Sequence, residues 1–387
     1  MTEFDTIIVG GGVHGASVFY HLTRLGANRI LLLEGKRLGS AATGRSTGII
    51  RFHYSQELTV RLAVHGSAVF RDFHRRFGQD ISYVNNGFLL LAPESEAKAL
   101  QRAVDLHRRI GVAEVAVLPE EIQKYHPDLK ADGVALAAFE KDAGHADPYS
   151  VTVGYAKAGE AAGGRVMVGT RVTDVSPQPS GGFRVNTENG EFRAKKVVLA
   201  VGAWARSVGE RLGVDIPVTP LRISNAILEL PGGYDGKLPT VIDLPNHLYF
   251  RPEGHDLLIG NGEGLGDIDP DRFDESLPYS FVEEVSERLI ARMPRSNDAR
   301  YKNGWRGLDG ASPDFHPIVG PVPETEGLYV CVGMSGHGFK LAPAIGLALA
   351  ELIANGRYVT FDLTPYSLER FAKGESLESL YSMRILA

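Results

Sequence analysis

Apolar and polar positions alternate along the chain in short blocks that predict strands and helices in turn. Residues 6–9 form a short run of β-branched side chains, which predicts a buried strand. Apolar residues then recur at helical spacing over 18–25, and Gly26 supplies a stop. A second apolar run over 29–33 predicts another strand, which ends on Glu34. The chain therefore opens with the order strand, tight turn, helix, strand, acid.

The rest of the pattern predicts an alternation of helices and strands with one β-rich excursion. Helices are predicted at 57–77, 94–110, 119–129, 147–162, 279–293 and 343–354. Strands are predicted at 83–91, 133–139, 165–168, 171–175, 183–187, 195–201 and 328–332. The strand at 195–201 is fully apolar after its lysines and is expected to return to the sheet of the first strand. Residues 219–262 alternate strand-like runs with turns, which is typical of an antiparallel sheet.

The turn after the first strand carries the spacing G-x-G-x-x-G at Gly10, Gly12 and Gly15. In a strand-turn-helix unit this spacing permits a sharp turn, a close approach of a pyrophosphate and tight helix packing. The helix N-terminus offers free N–H groups to phosphates, and Glu34 is placed to accept hydrogen bonds from a ribose. The alternative is a glycine-rich turn without a ligand. The acid disfavours a 2′-phosphate, so FAD or NAD is favoured over NADP.

Composition narrows the class of protein. The chain has 387 residues, 43% apolar and 23% charged, which suits a soluble globular protein of two or three domains. A net charge of −6 gives no electrostatic case for nucleic acid or an anionic membrane. No apolar run reaches about eighteen residues, so we expect no membrane span. The first strand begins too early for a secretory signal, and Cys331 is the single cysteine. We expect a cytoplasmic enzyme without a metal site.

Two further segments invite a ligand. Residues 35–54 are mostly small or polar, with arginines among them, and favour an anionic partner wrapped by the backbone. In the late segment Gly333, Gly336 and Gly338 let the backbone approach a flat ligand, just before a helix N-terminus. Such a terminus stabilises negative charge on a reduced flavin ring. Each segment has an alternative interpretation without a ligand. Residues 35–54 could be a surface loop, and the late segment could be an ordinary strand-to-helix turn.

With these motifs the chain resembles the FAD-dependent amine and amino-acid oxidoreductases of the D-amino-acid oxidase type. The resemblance covers nearly the whole chain and rests on GGGVHGAS with Glu34, TGRSTGIIRFHY, VVLAVGAWA and GLYVCVGMSGHGFKLAPAIG. The branch it suggests holds glycine oxidase, the sarcosine oxidases and the β subunit of proline dehydrogenase. It implies an α/β (α+β mixed) fold, with a Rossmann-type FAD-binding domain and an interleaved substrate domain on a large antiparallel or mixed sheet. We place the first at 1–82, 146–218 and 303–387, and the second at 83–145 and 219–302.

The resemblance also implies roles for individual residues. Arg51 matches the arginine that binds the substrate carboxylate, and Lys340 matches the lysine that assists it, because a guanidinium forks onto a carboxylate and an ammonium adds a second charge. A structural salt bridge is the alternative for Arg51, and a surface lysine the alternative for Lys340. Tyr249 and His337 are further catalytic candidates. The predicted cofactor-binding residues are Gly10, Gly12, Val13, His14, Gly15, Glu34, Gly35, Ser40, Thr43, Gly44, Arg45, Ser46, Thr47, Val172, Ala200, Gly202, Trp204, Gly307, Gly333, Gly336, His337, Gly338, Phe339 and Lys340.

Departures from the family pattern qualify these expectations. Relatives attach the flavin to a cysteine near Gly307, or to a histidine in the early loop where this chain has Arg45, Ser46 and Thr47. We therefore expect non-covalent FAD. The oxygen-activating lysine of sarcosine oxidases corresponds to Leu258, which predicts a slower reaction with O2.

The function implied is oxidation of the C–N bond of a primary or N-substituted amino acid. The substrate would be glycine-like or sarcosine-like, with a bulkier or apolar N-substituent allowed, and hydride would pass to flavin N5. The imine would hydrolyse, and O2 would be reduced to H2O2. Two alternatives stay open: a flavin subunit of a heteromeric amine or proline dehydrogenase, and an NAD-dependent dehydrogenase. An oligomer is compatible with either enzyme reading.

Overall fold

The computed structural model describes residues 2–266 and 268–382, without the side chains of Thr2, Glu263 and Leu265. Positions 383–387 of the third predicted segment of the FAD-binding domain lie outside the described residues. The helices are α1 (Val13–Arg24), α2 (Ala42–Arg45), α3 (Glu57–Arg71), α4 (Phe73–Phe77), α5 (Glu94–Arg109), α6 (Ile122–Tyr125), α7 (Pro148–Ala161), α8 (Ala205–Leu212), α9 (Tyr279–Arg292), α10 (Gly338–Asn355) and α11 (Glu369–Lys373). Short 3₁₀ turns lie at Pro119–Glu121, Gly202–Trp204, Pro294–Asp298 and Thr364–Tyr366.

The strands fall into two large sheets and one short pair. They are β1 (Thr2–Val9), β2 (Ile30–Leu33), β3 (Ile49–Ile50), β4 (Phe88–Ala92), β5 (Glu114–Val117), β6 (Leu136–Glu140), β7 (Gly144–His145), β8 (Arg165–Met167), β9 (Val172–Pro177), β10 (Phe183–Thr187), β11 (Gly190–Leu199), β12 (Thr219–Glu229), β13 (Thr240–Asp243), β14 (Leu248–Glu253), β15 (Asp256–Leu265), β16 (Arg300–Ala311), β17 (Ile318–Pro321) and β18 (Leu328–Val332). Strands β3 and β7 form the short pair.

The first sheet has the order β17-β18-β11-β1-β2-β8, and β10 and β9 extend it from β11. Strand β1 pairs in parallel with both β11 and β2, and β18 pairs in parallel with β11. Ile7 lies opposite Val197, so the predicted return of 195–201 to the first strand is confirmed. The strand residues Ile7, Ile8, Val197 and Val198 are all fully buried, because elements cover both faces of the parallel core.

The second sheet has the order β16-β12-β15-β14-β13-β4-β6-β5 and is antiparallel except for the parallel pair β13–β4. Helix α9 packs on one face, where Phe281, Val285 and Leu289 join a core with Leu257 and Ile259 of β15. The expected fold class, a Rossmann-type domain with a large mixed sheet beside it, is confirmed. Strand β16 pairs along its length with β12, so the predicted boundary between 302 and 303 falls inside a strand of the second sheet.

Two helices differ from the pattern. The helix predicted over 57–77 is divided at Asp72, whose carboxylate accepts hydrogen bonds from Arg75 and Arg76. Helix α10 begins at Gly338 instead of Pro343. Pro343 lies in its second turn, where the ring removes only the bond to the carbonyl of residue 339. The prediction treated this proline as a helix start.

Helix α10 is also longer and more apolar than the sequence runs suggested. Its 18 residues have a mean hydropathy of 1.3, so length and composition alone would allow it to cross a membrane. The run was missed because Lys340 and Glu351 interrupt it. The helix is 72% buried inside the protein, and Ile345 and Leu349 pack in the same core as Phe19 and Leu22 of α1. We therefore describe α10 as a core helix.

Candidate active site

A cavity of about 640 Å³ lies between the two sheets, a size within the range of small-molecule and cofactor sites. The residues that line it include the glycine turn after β1, the loop around α2, the end of β18 with the start of α10, and the inner face of the second sheet. The predicted ligand-binding segments are far apart in the sequence, and the fold brings them to one space.

The glycine turn leaves the N-terminus of α1 open towards the cavity. Gly12 is the N-cap residue and has no side chain to cap the helix, and the first turn of the helix contains no acid. The hydroxyl oxygen of Thr43 accepts the N–H of Val13 at 3.1 Å. The Oε2 atom of Glu34 accepts the N–H of Gly11 at 2.8 Å, which fixes this carboxylate at the edge of the cavity. The remaining N–H groups and the helix dipole favour a negatively charged group.

Most of the predicted cofactor residues line this cavity. They are Gly10, Gly12, Val13, His14, Glu34, Gly35, Ser40, Thr43, Arg45, Ser46, Thr47, Val172, Ala200, Gly202, Trp204, Gly307, Gly333, Gly336, Gly338, Phe339 and Lys340. Gly15, Gly44 and His337 do not line it. A Cβ atom at Gly15 would overlap the carbonyl oxygen of Gly10, and one at Gly44 would lie 2.5 Å from the carbonyl oxygen of Gly39. These two glycines are needed for close backbone packing beside the site.

Arg51 and Lys340 reach the cavity together, and both lie over the ring of Tyr54. The guanidinium carbon of Arg51 is 4.2 Å from the ring centroid, and the Nζ atom of Lys340 is 5.8 Å from it. Both cations are at least 96% buried, and Arg51 donates a hydrogen bond to the carbonyl oxygen of His53. Tyr54 was not predicted from the sequence, because an aromatic three residues after an arginine carries no distinctive signal.

The buried setting changes the protonation of Lys340. Burial, followed by the charge of Arg51, lowers the pKa of Lys340 well below its ordinary value, while Asp309 and Glu140 oppose the shift. A second anion beside Arg51, such as a substrate carboxylate, would favour the charged form of Lys340. Arg51 and Lys340 together are therefore a candidate anion site.

His337 takes a different position from the one expected of a catalytic residue. Its ring packs against Tyr54, with the ring centroids 5.3 Å apart, and it is fully buried beside the cavity. Neither ring nitrogen has a hydrogen-bond partner among the described residues. Burial, followed by Arg51 and Lys340, lowers the pKa of His337 well below its ordinary value. The ring is therefore neutral, and it packs against Tyr54 at an interplanar angle of 56°.

Tyr249 lines the cavity from β14 on the second sheet. Its hydroxyl donates to Oδ1 of Asn225 at 2.9 Å, and Gly260 on the neighbouring strand leaves the space that the ring occupies. Leu258 of β15 is fully buried between its partners on β12 and β14, two residues before Gly260.

Gly307 and Asp309 form the cavity wall on β16. A Cβ atom at Gly307 would lie 2.5 Å from the Cβ atom of Arg45, so the early loop packs directly on this glycine. Asp309 accepts the N–H of Gly336 at 2.6 Å and joins β16 to the late glycine turn. Burial raises the pKa of Asp309, whereas the hydrogen bonds that its carboxylate accepts from backbone N–H groups act to lower it. Asp309 was missed because nothing near it in sequence marks it as part of a site.

A second group of polar residues lies behind Arg51 and was also missed. The side chains of His53, His107, Glu114 and Glu140 are fully buried and place ligand-type atoms within 4.8 Å of one another. The Nδ1 atoms of His53 and His107 lie 2.5 and 2.6 Å from the two oxygens of Glu114. Two ligands of one tetrahedral metal ion lie about 3.3 Å apart, given metal–ligand bonds of about 2.0–2.1 Å. These contacts have the length of hydrogen bonds, so we describe the group as a hydrogen-bonded cluster.

Comparison with known proteins gives a consistent picture of the whole chain. A family model described as FAD dependent oxidoreductase (DAO) matches residues 5–352. FAD-dependent oxidoreductase domain-containing protein 1 from Bos taurus is 30% identical, over 97% of this chain and 86% of that protein. Glycine oxidase from Geobacillus kaustophilus is 30% identical, over 95% of this chain and 97% of its own length.

Solved structures agree with the sequence comparison. The crystal structure of L-proline dehydrogenase from P. horikoshii superposes with a TM-score of 0.89 at 26% identity, over 97% of this chain and 100% of that chain. The structure of glycine oxidase from Geobacillus kaustophilus superposes with a TM-score of 0.84 at 29% identity, over 96% of this chain and 99% of that chain.

Proposed function

Since the chain belongs to the family of FAD-dependent oxidoreductases, we propose that it oxidises the C–N bond of an amino acid whose carboxylate is held by Arg51 and Lys340. The observation that carries this proposal is that Arg51 and Lys340 are both buried, both line the cavity and both lie over the ring of Tyr54. Cofactor and enzyme class follow from the family: FAD replaces the NAD alternative, and the protein is an oxidoreductase of amino acids or amines.

The residues around the cavity suit FAD. The open N-terminus of α1 offers N–H groups to a pyrophosphate, and a Cβ atom at Gly12 would meet only Thr43 Oγ1, at 3.2 Å, so this position faces ligand space. Glu34 lies where a ribose hydroxyl would be bound. Gly333, Gly336 and Gly338 form another part of the cavity wall. When bound, FAD supplies a ring atom, N5, that accepts a hydride from the carbon bearing the amine.

The protein side of the reaction is positioning and electrostatics. Arg51 and Lys340 orient the α-carbon by its carboxylate, and the burial of both side chains limits the access of water to the bound carboxylate. The same two cations disfavour a positively charged amine beside them, so the substrate loses its ammonium proton more readily. The imine that leaves takes up water and yields a carbonyl compound and an amine or ammonia.

The finer proposal concerns substrate and acceptor. A primary or N-substituted amino acid of the glycine or sarcosine type, with room for an apolar N-substituent, fits a cavity whose apolar lining includes Ile242 and Phe339. We propose O2 as the acceptor, reduced to H2O2 by the two electrons of each turnover. Glycine oxidase, a relative of similar length, is an oxidase by name.

The experiment is a carboxylate-binding titration. Acetate, which has no C–N bond to oxidise, is added to the yellow holoenzyme and followed by the change in flavin absorbance. Arg51→Met should weaken binding by at least about 100-fold, because removing one partner of a buried ionic contact costs about 3–5 kcal/mol. Lys340→Met should weaken it less. An unchanged dissociation constant for Arg51→Met, in a protein that retains FAD, would contradict the proposal.

A second candidate is a dehydrogenase that passes electrons to another protein. The similarity to L-proline dehydrogenase over the full length of both chains favours it. The oxidase and the dehydrogenase proposals are distinguished by an experiment in which the flavin is reduced anaerobically and then mixed with O2 or with an artificial dye. Rapid reoxidation by O2 with formation of H2O2 supports the oxidase, whereas rapid turnover with the dye alone supports the dehydrogenase.

A further inference from the structure

Two carboxylates lie behind the substrate-binding cations, on neighbouring strands of the second sheet. In the register of β5 and β6, Glu114 is directly opposite Glu140, and in that of β6 and β4, Glu140 is opposite Phe88. Side chains paired in this way lie on the same face of a sheet, close to one another. The guanidinium carbon of Arg51 is 6.0 Å from the ring centroid of Phe88. The row Glu114, Glu140, Phe88 thus leads from the interior of the protein to Arg51.

The two acids are unequal in their partners. Glu114 has both oxygens bonded to imidazoles, those of His53 and His107. Although burial raises the pKa of Glu114, these two histidines hold it at about 2. Glu114 therefore keeps its negative charge, and the hydrogen bonds from the two imidazole rings stabilise it.

Glu140 lacks such partners. Its Oε2 atom accepts the N–H of Phe52 at 2.9 Å, and its Oε1 atom has no hydrogen-bond partner among the described residues. Burial, followed by the charge of Glu114, raises the pKa of Glu140 well above its ordinary value, and the charges of Arg51 and Lys340 oppose this. A charged Glu140 therefore depends on those two cations, because nothing else in its described surroundings compensates a second negative charge beside Glu114.

We propose that Glu140 takes up a proton when a carboxylate binds at Arg51 and Lys340, so that anion binding at this site is coupled to proton uptake. The proposal rests on the proposed function of the two cations. A bound carboxylate pairs with Arg51 and Lys340, so these two cations no longer offset a negative charge on Glu140. Glu140 then lies beside the charged Glu114, in the buried interior, with one oxygen that has no hydrogen-bond partner among the described residues. Uptake of one proton removes that repulsion. Glu140 is a positioning residue here, since it acts through Arg51 and Lys340.

The other titratable groups facing Glu140 come from every element packed around it. They are Glu114 on β5, His107 on α5, Arg51, His53 and Tyr54 on the segment after β3, Lys340 on α10, and Tyr381 near the C-terminus. Burial raises the pKa of Tyr54, to about 12, and that of Tyr381, so both remain protonated. The Nδ1 atoms of His53 and His107 are hydrogen-bonded to Glu114. Among these groups, Lys340 is the one other group that could take up the proton. The variant Lys340→Met distinguishes uptake by Lys340 from uptake by Glu140.

The test measures the dissociation constant of acetate from about pH 6 to about pH 9, by flavin absorbance of the holoenzyme. Binding coupled to uptake of one proton weakens about tenfold for each unit rise in pH, between the pKa values of the free and bound states. We expect this slope in the wild type and its loss in Glu140→Gln. Acetamide, the neutral analogue, should show no slope in either protein. If the Gln variant does not accumulate as yellow protein, Glu140→Leu removes the acid with an apolar side chain of similar size.

The outcomes separate the inference from the function on which it rests. A wild-type slope of zero overturns proton coupling. A slope that persists without the carboxyl group at 140, and disappears in Lys340→Met, places the proton on Lys340 and overturns the role of Glu140. If acetate does not bind, or binds Arg51→Met as well as wild type, the carboxylate site itself is wrong and the proposed function fails first.

Discussion

At the scale of single residues, two glycines of one motif have opposite surroundings. Gly12 faces ligand space, where a methyl group would meet only the hydroxyl of Thr43. Gly15 faces its own chain, where a methyl group would overlap the carbonyl oxygen of Gly10. The first glycine therefore serves the cofactor, and the second serves the packing of α1 on β1. The motif in the sequence does not distinguish these roles.

This contrast predicts different failures for two matched substitutions. Gly12→Ala should fold but bind FAD at least about tenfold more weakly, since the methyl group takes space needed for close approach of the pyrophosphate. Gly15→Ala should fail to accumulate as folded protein. The ratio of FAD to protein and the far-ultraviolet circular dichroism spectrum measure the two effects. Full FAD content in Gly12→Ala would show that the pyrophosphate lies elsewhere.

Gly307 leads to a prediction about attachment of the flavin. Gly307 stands near the place where the family resemblance implies a cysteine for flavin attachment, and Arg45 fills the space in front of this glycine. The loop over 40–47 contains no histidine. We predict that FAD is bound without a covalent bond. Acid precipitation should leave a yellow supernatant and a colourless pellet, and a flavin that stays with the denatured chain would refute this.

At the scale of elements, helix α7 supports the early loop through its N-terminus. Asp147 caps the helix, and its carboxylate accepts the N–H groups of Tyr149 at 3.2 Å and Ser150 at 2.9 Å. Pro148 follows at the first helical position, where its fixed backbone angle suits the start of a helix. The loop between β2 and α2 rests on this helix, because Gly39 lies beside Tyr149 and Thr152.

Loss of the cap should destabilise the protein by a modest amount. We predict that Asp147→Ala lowers the free energy of unfolding by about 1 kcal/mol, within a range of about 0.5–2. Asp147→Asn keeps an acceptor oxygen and should stay within a few tenths of a kcal/mol of wild type. Urea unfolding followed by circular dichroism measures both variants. Equal losses in the two would mean that the charge, and not the cap, matters.

At the scale of the whole molecule, the C-terminal segment is tied back to the core by a buried ion pair. Arg370 on α11 binds Asp314 at 2.8 Å, and both side chains are 2% exposed. The same carboxylate accepts the N–H of Leu377 at 3.1 Å. Further along, the hydroxyl of Tyr381 contacts Nε2 of His53, two residues after Arg51. The end of the described chain thus reaches the residues behind the carboxylate site.

Removal of one partner of this pair should be costly. We predict that Asp314→Ala lowers the free energy of unfolding by about 3–5 kcal/mol, because Arg370 is left buried without its counter-ion. Asp128→Ala, at the half-exposed pair with Arg295, should cost at most about 1 kcal/mol. Chemical denaturation measures the free energy of unfolding of both variants. Similar small losses in both variants would contradict a special role for the buried pair.

The same pair predicts a loss of stability in acid. Burial raises the pKa of Asp314, but Arg370 more than offsets this and holds it below its ordinary value of 3.8. A carboxyl whose pKa is lower when folded contributes stability that is fully present above the unfolded value. That contribution should disappear as the pH falls below about 4 and through the folded value. Arg370→Met should lack this acid-dependent part, as measured by thermal unfolding against pH.

The sequence by itself determined what depends on near neighbours along the chain. The strand, glycine turn, helix and acid of the first 34 residues follow from local spacing, as does α5, predicted at 94–110 and found at Glu94–Arg109. The apolar strand over 195–201 predicted its own return to the first sheet, since a fully apolar run requires cover on both faces. Family motifs in the early and late segments added the cofactor, FAD, and the two cations of the site.

Only the tertiary structure decided which side chains meet. Tyr54 lies under both Arg51 and Lys340, although 286 positions separate Tyr54 from Lys340 in the sequence. His337 packs on the same ring. Glu114 and Glu140 oppose each other only because β5 and β6 pair in one register, and a shift of one residue would turn either acid to the other face. Strand register and helix packing depend on contacts distant in sequence, so local patterns do not contain them.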